Sequence, residues 1–152
     1  MTQTIAKTFF DKVWRDHVIS KLDEESDLLQ IDRLVLHELS GSQALRALEE
    51  AGRKPVSRNQ VFTVIEHLIS TQPGRGPCDS VSSSGPVMIQ TTRDASKKYG
   101  VHFIDYDDPR QGIAHVVAPE LGIAFPGAKT TLYEPGMRIP MLVRHPKIGR
   151  AS

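Results

Sequence analysis

The sequence lacks three features that would place it in a specialised class of proteins. It has one cysteine, Cys78, among 152 residues, which excludes an internal disulfide framework. A lone cysteine also cannot hold an iron–sulfur cluster or a structural zinc site. No apolar run approaches the roughly 20 residues that span a bilayer, and charges interrupt the apolar pattern of the N-terminus, which argues against a secretory signal. We therefore expect a cytoplasmic protein without membrane contact.

Basic charge is unevenly placed. Residues 128–152 contain five lysines and arginines against Glu134 alone, a net +4, whereas residues 1–127 carry a net −3. The basic residues are spread among prolines without a dense cluster, so the sequence does not favour nucleic-acid binding. With 39% hydrophobic residues, the chain can bury the core of one ordinary domain.

Hydrophobic periodicity predicts helices and strands in alternation. Ser42 is a plausible N-cap of the second helix, and Gly52 and Gly100 are typical helix ends. Such alternation is typical of an α/β fold, here a mostly parallel sheet with flanking helices. The predicted elements are an amphipathic helix over 4–19, a strand over 28–36 interrupted at Asp32-Arg33, a helix over 43–51, a strand over 61–65, a helix over 86–99 and a strand over 101–104.

Ionisable residues follow the ends of two predicted strands, where open α/β sheets place ligand sites. Glu66 and His67 follow the strand over 61–65. A carboxylate beside an imidazole could act in acid–base chemistry, or the imidazole could simply be satisfied by backbone groups. The stretch 101–127 carries Arg110, Gln111 and His115 around a glycine, either as a ligand site or as a strand–turn–strand with solvated charges, and Pro119-Glu120 predicts a second turn in it.

A long loop rich in glycine, proline and serine spans residues 71–86. Long loops in compact domains are often functional or mobile. Arg75 lies there between Gly74 and Gly76, so its guanidinium either reaches an anion or is solvated.

From Thr8 to Gly127 the sequence resembles the N-terminal part of the 3-isopropylmalate dehydratase large subunit, of the aconitase superfamily. Each matching piece is short, and their joint order over most of the chain makes the resemblance specific. In chain order the pieces are Phe10-Asp11-Lys12-Val13-Trp14 with His17, Ile31-Asp32-Arg33 with His37-Glu38, Gly52-Arg53, Thr63 with His67, Ser70-Thr71, Asp108-Pro109-Arg110-Gln111-Gly112-Ile113 with His115-Val116, Pro119-Glu120, Gly122 and Pro126-Gly127.

The resemblance implies a hydro-lyase that isomerises 2-isopropylmalate to 3-isopropylmalate, in leucine biosynthesis, by dehydration and rehydration. The family uses a [4Fe–4S] cluster, one iron of which acts as a Lewis acid on the substrate. The implied fold is part of an aconitase-type iron–sulfur domain. The implied partners are a small-molecule hydroxy di-acid and the small dehydratase subunit.

By the same resemblance, His67 and His115 are active-site histidines whose rings face one cleft, and Glu66 is the carboxylate that orients His67. Glu66 stands where the family usually has aspartate, and its extra methylene moves the carboxylate by about one carbon–carbon bond length. The substrate-binding residues that the resemblance and the charges suggest are Arg110, Gln111, His37 and Arg75.

The sequence departs from the family after the Pro126-Gly127 pair. The family's Cys-Gly-Asp-Ser-His-Thr is replaced by a stretch starting at Ala128, and the family's downstream cluster cysteines are absent. Residues 129–144 instead resemble a short sulfatase segment, in which Lys129 would contact a sulfate or be solvated. We therefore divide the chain into a truncated dehydratase-like α/β domain, 1–127, and a sulfatase-like tail of irregular structure, 128–152.

Three hypotheses follow for the function of the chain. It is a segment of a dehydratase, inactive by itself because it binds no cluster. Alternatively it is a non-catalytic carboxylate-binding or vestigial module, which the single cysteine favours for the isolated chain. A third alternative is a sulfatase-related fusion fragment that folds poorly, with sheet edges open to aggregation.

Overall fold

The computed structural model describes residues 7–132 and 141–144 of the chain. Helices and strands alternate through most of this part. The elements in chain order are α1 (Phe9–His17), β1 (Val18–Lys21), β2 (Ser26–Leu29), β3 (Arg33–His37), α2 (Glu38–Glu50), a 3₁₀ turn (Arg58–Gln60), β4 (Val61–Val64), α3 (Gly85–Tyr99), β5 (His102–Ile104), α4 (Ala114–Glu120), β6 (Thr130–Leu132) and β7 (Met141–Arg144). No helix among the described residues is long and apolar enough to cross a membrane.

Four strands form a parallel sheet in the order β5-β4-β3-β6. Neighbouring parallel strands need a crossover connection, which α2 provides between β3 and β4 and α3 between β4 and β5. The α/β prediction, with a mostly parallel sheet and flanking helices, is therefore confirmed. The strand predicted over 61–65 and the helix predicted over 86–99 correspond to β4 and α3.

The parallel sheet is covered on both faces because successive side chains of its strands point to opposite sides. Val35 packs into an apolar layer with α4, and Leu36 packs into a second layer with α2 and α3. The first layer consists of Val35, Val64, Ile104, Ala114, Val117, Ala118 and Ile123, and the second of Leu36, Leu45, Val61, Ala95 and Val101. Because both faces of the sheet are buried, the sequences of β3 and β4 are nearly continuous runs of apolar residues.

A second sheet is antiparallel and has the order β1-β2-β7. The prediction of one interrupted strand over 28–36 is wrong, because β2 and β3 belong to different sheets. The backbone changes partners between them: Gln30 N–H donates to the carbonyl of His17, and Asp32 N–H donates to the carbonyl of Lys129. Within the tail for which we expected irregular structure, β6 joins the parallel sheet and β7 joins the antiparallel one. The division of the chain at residue 127 stays a prediction.

The two sheets meet at a polar junction around Asp32. Its Oδ2 lies 2.7 Å from His17 Nε2 and accepts the Lys129 N–H at 2.9 Å. The other ring nitrogen of His17, Nδ1, lies 2.6 Å from the carbonyl oxygen of Val13. The Lys129 ammonium lies over the Trp14 ring, 4.9 Å from its centroid. The junction therefore ties α1 and the start of β6 to the loop that enters β3.

Helix α2 begins four residues before the predicted cap Ser42. Its N-cap is His37, whose Nδ1 accepts the Leu39 N–H at 3.2 Å, while Ser40 Oγ accepts the His37 N–H. Gly41, which suggested a turn, lies inside the helix, where an added Cβ would come within 3.0 Å of Thr92 Cγ2 on α3. The glycine thus serves the close approach of α2 and α3.

Two other boundaries also differ from the predictions. Helix α1 begins at Phe9, after a capping box formed by Thr8 and Asp11, and the predicted start of this helix at residue 4 lies outside the described residues. Residues 114–120 form helix α4, although Pro119-Glu120 suggested a turn. The predicted helix ends are confirmed, since Gly52 and Gly100 both have positive φ angles directly after α2 and α3.

The fold contains one nearly buried bidentate ion pair, which joins α3 to the end of β5. Arg93 Nε and Nη2 donate to the two carboxylate oxygens of Asp105 at 2.7 and 2.8 Å, and Nη2 also donates to the carbonyl of Pro77. Burial would raise the pKa of Asp105, but the hydrogen bonds from Arg93 and from the Tyr106 N–H outweigh it and lower the pKa. The guanidinium therefore holds both the loop 71–86 and the end of β5 in place.

We predict that Arg93→Met lowers the free energy of unfolding by about 2–4 kcal/mol, because the Asp105 carboxylate loses its cationic partner and the Pro77 carbonyl loses its Arg93 donor. Urea unfolding followed by circular dichroism measures this loss. The matched control is Arg46→Met, which removes an ion pair to Glu50 that is exposed on both sides and should change stability by less than about 0.5 kcal/mol. Equal losses in the two variants would contradict the structural role of Arg93.

Candidate functional site

The carboxyl ends of β3 and β4 bring two histidines and two glutamates together. His37 is the last residue of β3 and pairs in register with Val64, the last residue of β4. Glu66 and His67 follow β4 directly, and Glu38 opens helix α2. Because the strands are parallel and adjacent, their carboxyl ends meet at one edge of the sheet, where α/β proteins place ligands.

The two histidine rings of this edge are stacked. The centroids of His37 and His67 lie 4.1 Å apart, with 25° between the ring planes. His37 Nδ1 accepts the Leu39 N–H, so in the neutral ring the proton is on Nε2. The His67 side chain is 38% exposed, so one face of the pair is open to solvent. The structure thus joins His37, a predicted substrate-binding residue, to His67, a predicted catalytic one.

Glu66 lies beneath His67 and is buried. Its side chain is 1% exposed, and its Oε2 accepts the Ala114 N–H at 2.7 Å. Its Oε1 lies 3.2 Å from His67 Nδ1, but the pair does not have hydrogen-bond geometry, and among the described residues this buried oxygen has no hydrogen bond. The carboxylate therefore has one fixed oxygen and one oxygen that faces the imidazole.

The pKa of Glu66 is raised above its ordinary value. Burial is the largest cause, and the negative charge of Glu38 adds to it, while the Ala114 N–H and His67 oppose it. A carboxyl group with a raised pKa can hold a proton closer to neutral pH than an ordinary glutamate. The pair is therefore suited to proton transfer, as the sequence suggested.

Sequence reasoning gave Glu38 no role of its own in the site. Its side chain is fully buried, its Oε2 accepts the Glu66 N–H at 2.9 Å, and its Oε1 accepts the Leu68 N–H. Glutamate in the first turn of a helix ordinarily suggests only a favourable interaction with the helix dipole. One signal for its role was available in the sequence: two pairs of a histidine and a glutamate, His37-Glu38 and Glu66-His67, each follow a predicted strand.

Gln111 and Arg75 lie beside the Glu66–His67 pair and hold the backbone before it through hydrogen bonds. Gln111 Nε2 donates to the carbonyl of Ile65, directly before Glu66, at 2.8 Å. Arg75 donates to Gln111 Oε1 at 3.1 Å and to the carbonyls of Ser70 and Tyr106. The guanidinium thus binds three groups of the protein, which differs from both the anion-binding and the solvated arginine that we considered.

Arg110 and His115 lie at the surface. Arg110 is paired with Asp108 in its own turn, through Nη2 to Oδ2 at 2.6 Å and Nε to Oδ1 at 2.9 Å, and these bonds lower the pKa of Asp108 to about 2. His115 follows Ala114, whose N–H binds Glu66, and its side chain is exposed. Within the described part of the chain no hydrogen bond or ion pair involves the His115 ring. That His115 and His67 face one cleft stays a prediction.

The [4Fe–4S] cluster that the resemblance implies does not fit the residues of this chain. Cys78 is the single cysteine, and its Sγ lies 3.4 Å from Arg93 Nη1 and 3.6 Å from Gln90 Oε1. Over residues 7–132 and 141–144, no group of three or more His, Cys, Asp or Glu side chains could hold a metal ion. The further cysteine ligands for such a cluster would have to come from outside this sequence.

We predict that Glu66 makes stability fall as pH rises. Because its folded-state pKa is above the ordinary value of 4.5, the folded chain holds more protons than the unfolded chain between these two values, and stability declines through that window. Glu66→Gln, which cannot ionise, should become progressively more stable relative to the unmodified chain as pH rises through the window, and the difference should then stay constant above it. Urea unfolding of both proteins at stepped pH measures the difference. Glu50→Gln, at an exposed site, is the control, and a difference that does not change with pH would refute the prediction.

The match to a known protein family covers most of the chain. Residues 11–131 match the Aconitase family (aconitate hydratase). The matched region contains the parallel sheet, both crossover helices, α4 and every residue of the site described above. The family is one of hydro-lyases that generally carry a [4Fe–4S] cluster, and membership supports a function of hydro-lyase type. The chain belongs to the aconitase family.

Proposed function

We propose that this chain supplies the acid–base part of an isopropylmalate-type hydro-lyase and that its substrate is a hydroxy di-acid. The observation that carries the proposal is the Glu66–His67 pair, buried on one side and open to solvent on the other, at the carboxyl ends of β3 and β4. The resemblance to the 3-isopropylmalate dehydratase large subunit supports this substrate over others of the family.

In the proposed reaction the pair handles the leaving hydroxyl group. Burial raises the pKa of Glu66 and so favours its protonated form, and His67, whose Nδ1 lies 3.2 Å from Glu66 Oε1, is the exposed group that can pass a proton on. A base outside this sequence removes a proton from the neighbouring carbon, and the electrons of that carbon–hydrogen bond form the double bond as the carbon–oxygen bond breaks. The hydroxyl group takes the proton of the pair and leaves as water. In rehydration, water adds its oxygen to the neighbouring carbon and gives a proton to the pair, while the base returns its proton to the carbon that first carried the hydroxyl group.

The remaining site residues have supporting roles in this proposal. His37 stacks on His67 and, in this proposal, lines the substrate side. We assign His115, in the first turn of α4, to the same cleft as part of the proposal. Gln111 and Arg75 act from behind the pair, by fixing the backbone at Ile65. Arg110 would bind a substrate carboxylate only by sharing its guanidinium with Asp108.

We expect 2-isopropylmalate to bind at the histidine pair, because ring N–H groups at an open strand end can donate hydrogen bonds to its two carboxylates. In ¹H–¹³C NMR spectra of the full chain near pH 6, the ligand should shift the ring resonances of His37 and His67 and leave those of His102, on β5, unchanged. Its dimethyl ester has the same shape without charge and serves as the ligand control. The variant His67→Gln should lose the response.

Equal shifts with the dimethyl ester, or a response confined to His102, would show that the binding is not recognition of a di-acid at this site. No shift with either compound would refute the proposed site.

We further predict that the purified chain does not turn over 2-isopropylmalate, even after anaerobic reconstitution with iron and sulfide. The reason is that a lone cysteine cannot hold the family's cluster. Formation of the dehydrated intermediate, followed by its ultraviolet absorbance, measures the reaction. Turnover that is absent from Glu66→Gln would show that the chain is a complete catalyst and would contradict this prediction.

A second candidate function is a non-catalytic carboxylate-binding module, and the single cysteine is the observation that favours it. The binding experiment supports both candidates, and the reconstitution experiment separates them. The third alternative, a sulfatase-related fusion, rests on the tail. There the Lys129 ammonium lies over the rings of Phe10 and Trp14, an arrangement that differs from both an exposed sulfate ligand and a solvated lysine.

A further inference from the structure

We propose that Glu38 is a positioning residue for His67: its carboxylate binds the backbone on both sides of that histidine and thereby holds the ring against His37 and beside Glu66. This inference rests on the proposed function for its use in catalysis. The arrangement itself can be tested without any ligand.

The first step of the argument is the pattern of the hydrogen bonds. The two oxygens of Glu38 accept from two different peptide groups, those of Glu66 and Leu68, which lie immediately before and after His67. No strand ladder reaches these peptides, because β4 ends at Val64 and its last parallel bond runs from the Ile65 N–H to the carbonyl of Ile104. The Glu38 carboxylate therefore supplies the hydrogen-bond acceptors for these two N–H groups beyond the end of the sheet.

The second step is the position of Glu38 in the chain. It directly follows His37, the residue whose ring stacks on His67 at 4.1 Å. The dipeptide His37-Glu38 thus acts on His67 in two ways. The His37 ring stacks on it, and the Glu38 carboxylate accepts hydrogen bonds from the N–H groups of the residues on either side. A glutamine could not replace Glu38, because its amide has one acceptor oxygen and an NH₂ group that would face a peptide donor.

The third step is burial. Glu38 is fully buried, and its own carbonyl accepts a hydrogen bond from Thr92 Oγ1 on α3 at 3.2 Å. The carboxylate is therefore held by the α2–α3 packing and cannot swing away from the 66–68 segment without opening the core. A buried charge with these partners fixes the backbone around His67 more firmly than a solvated loop could.

The test compares Glu38→Gln with Leu45→Ala in the full chain. Leu45 is a core residue of the same helix that packs in the layer of Leu36 and Val61, away from the strand ends. We expect Glu38→Gln to abolish the nuclear Overhauser effect between the His37 and His67 rings. The amide hydrogens of Glu66 and Leu68 should exchange about tenfold faster or more relative to other core amides, since they lose a charged acceptor.

Leu45→Ala is expected to lower overall stability and to leave both of these signals as they are in the unmodified chain. Retention of the ring contact and of the amide protection in Glu38→Gln would overturn the proposal.

If Glu38→Gln does not fold, the unmodified chain still decides the question. Scalar couplings through the hydrogen bonds should join the amide nitrogens of Glu66 and Leu68 to the side-chain carboxyl carbon of Glu38, and absence of both couplings would refute the inference. Addition of 2-isopropylmalate separates the two proposals. A chain with the couplings and the ring contact but no ligand response would keep Glu38 as the residue that positions His67 and would remove the proposed function.

Discussion

The parallel pairing of β3 with β4 constrains almost everything else in this molecule. Parallel neighbours cannot be joined by a hairpin, so the chain must leave the sheet, cross one face as α2 and return. The crossover covers that face, and α4 covers the other, which gives the two apolar layers their separate residues. The same geometry places both carboxyl ends at one edge. Residues that lie 28 positions apart in sequence, such as Glu38 and Glu66, therefore meet.

The two buried carboxylates at this edge of the sheet, Glu38 and Glu66, differ in their hydrogen-bond donors, and we infer different roles from that difference. Glu38 has a peptide donor on each oxygen, whereas Glu66 has one donor and one oxygen that faces His67. A hydrogen bond to a charged group contributes about 1.5–3 kcal/mol, which is comparable with the several kcal/mol that burial of an ion costs. Both oxygens of Glu38 are thus occupied by donors, and its negative charge contributes to the raised pKa of Glu66. The arrangement separates a fixed carboxylate from one that can exchange a proton.

The layered fold and the location of the site could be predicted from hydrophobic periodicity and from polar residues after strand ends, because both patterns are local. The features that sequence reasoning missed depend on contacts between distant segments. Ser42 belongs to the usual capping residues, so the helix start was assigned there, whereas the imidazole of His37 is the acceptor that caps α2. Pro119 suggested a turn, but packing of α4 on the sheet overrides that local preference. Two of the partners of Arg75, Tyr106 and Gln111, lie in the later loop between β5 and α4, and no spacing in the sequence indicates them.

The imidazole of His17 has a consequence for how the two sheets are joined. Both of its ring nitrogens lie within 2.7 Å of oxygens that can only accept, the Val13 carbonyl and the Asp32 carboxylate, so the ring needs both protons. The Val13 carbonyl is the largest cause of its raised pKa, burial and Lys129 oppose it, and Asp32 supports it. A histidine of this kind stabilises the fold fully below its ordinary pKa and loses that effect as pH rises through the raised value. Loss of this proton removes a hydrogen-bond donor from the junction, so the connection between the two sheets weakens as pH rises through the raised pKa of His17.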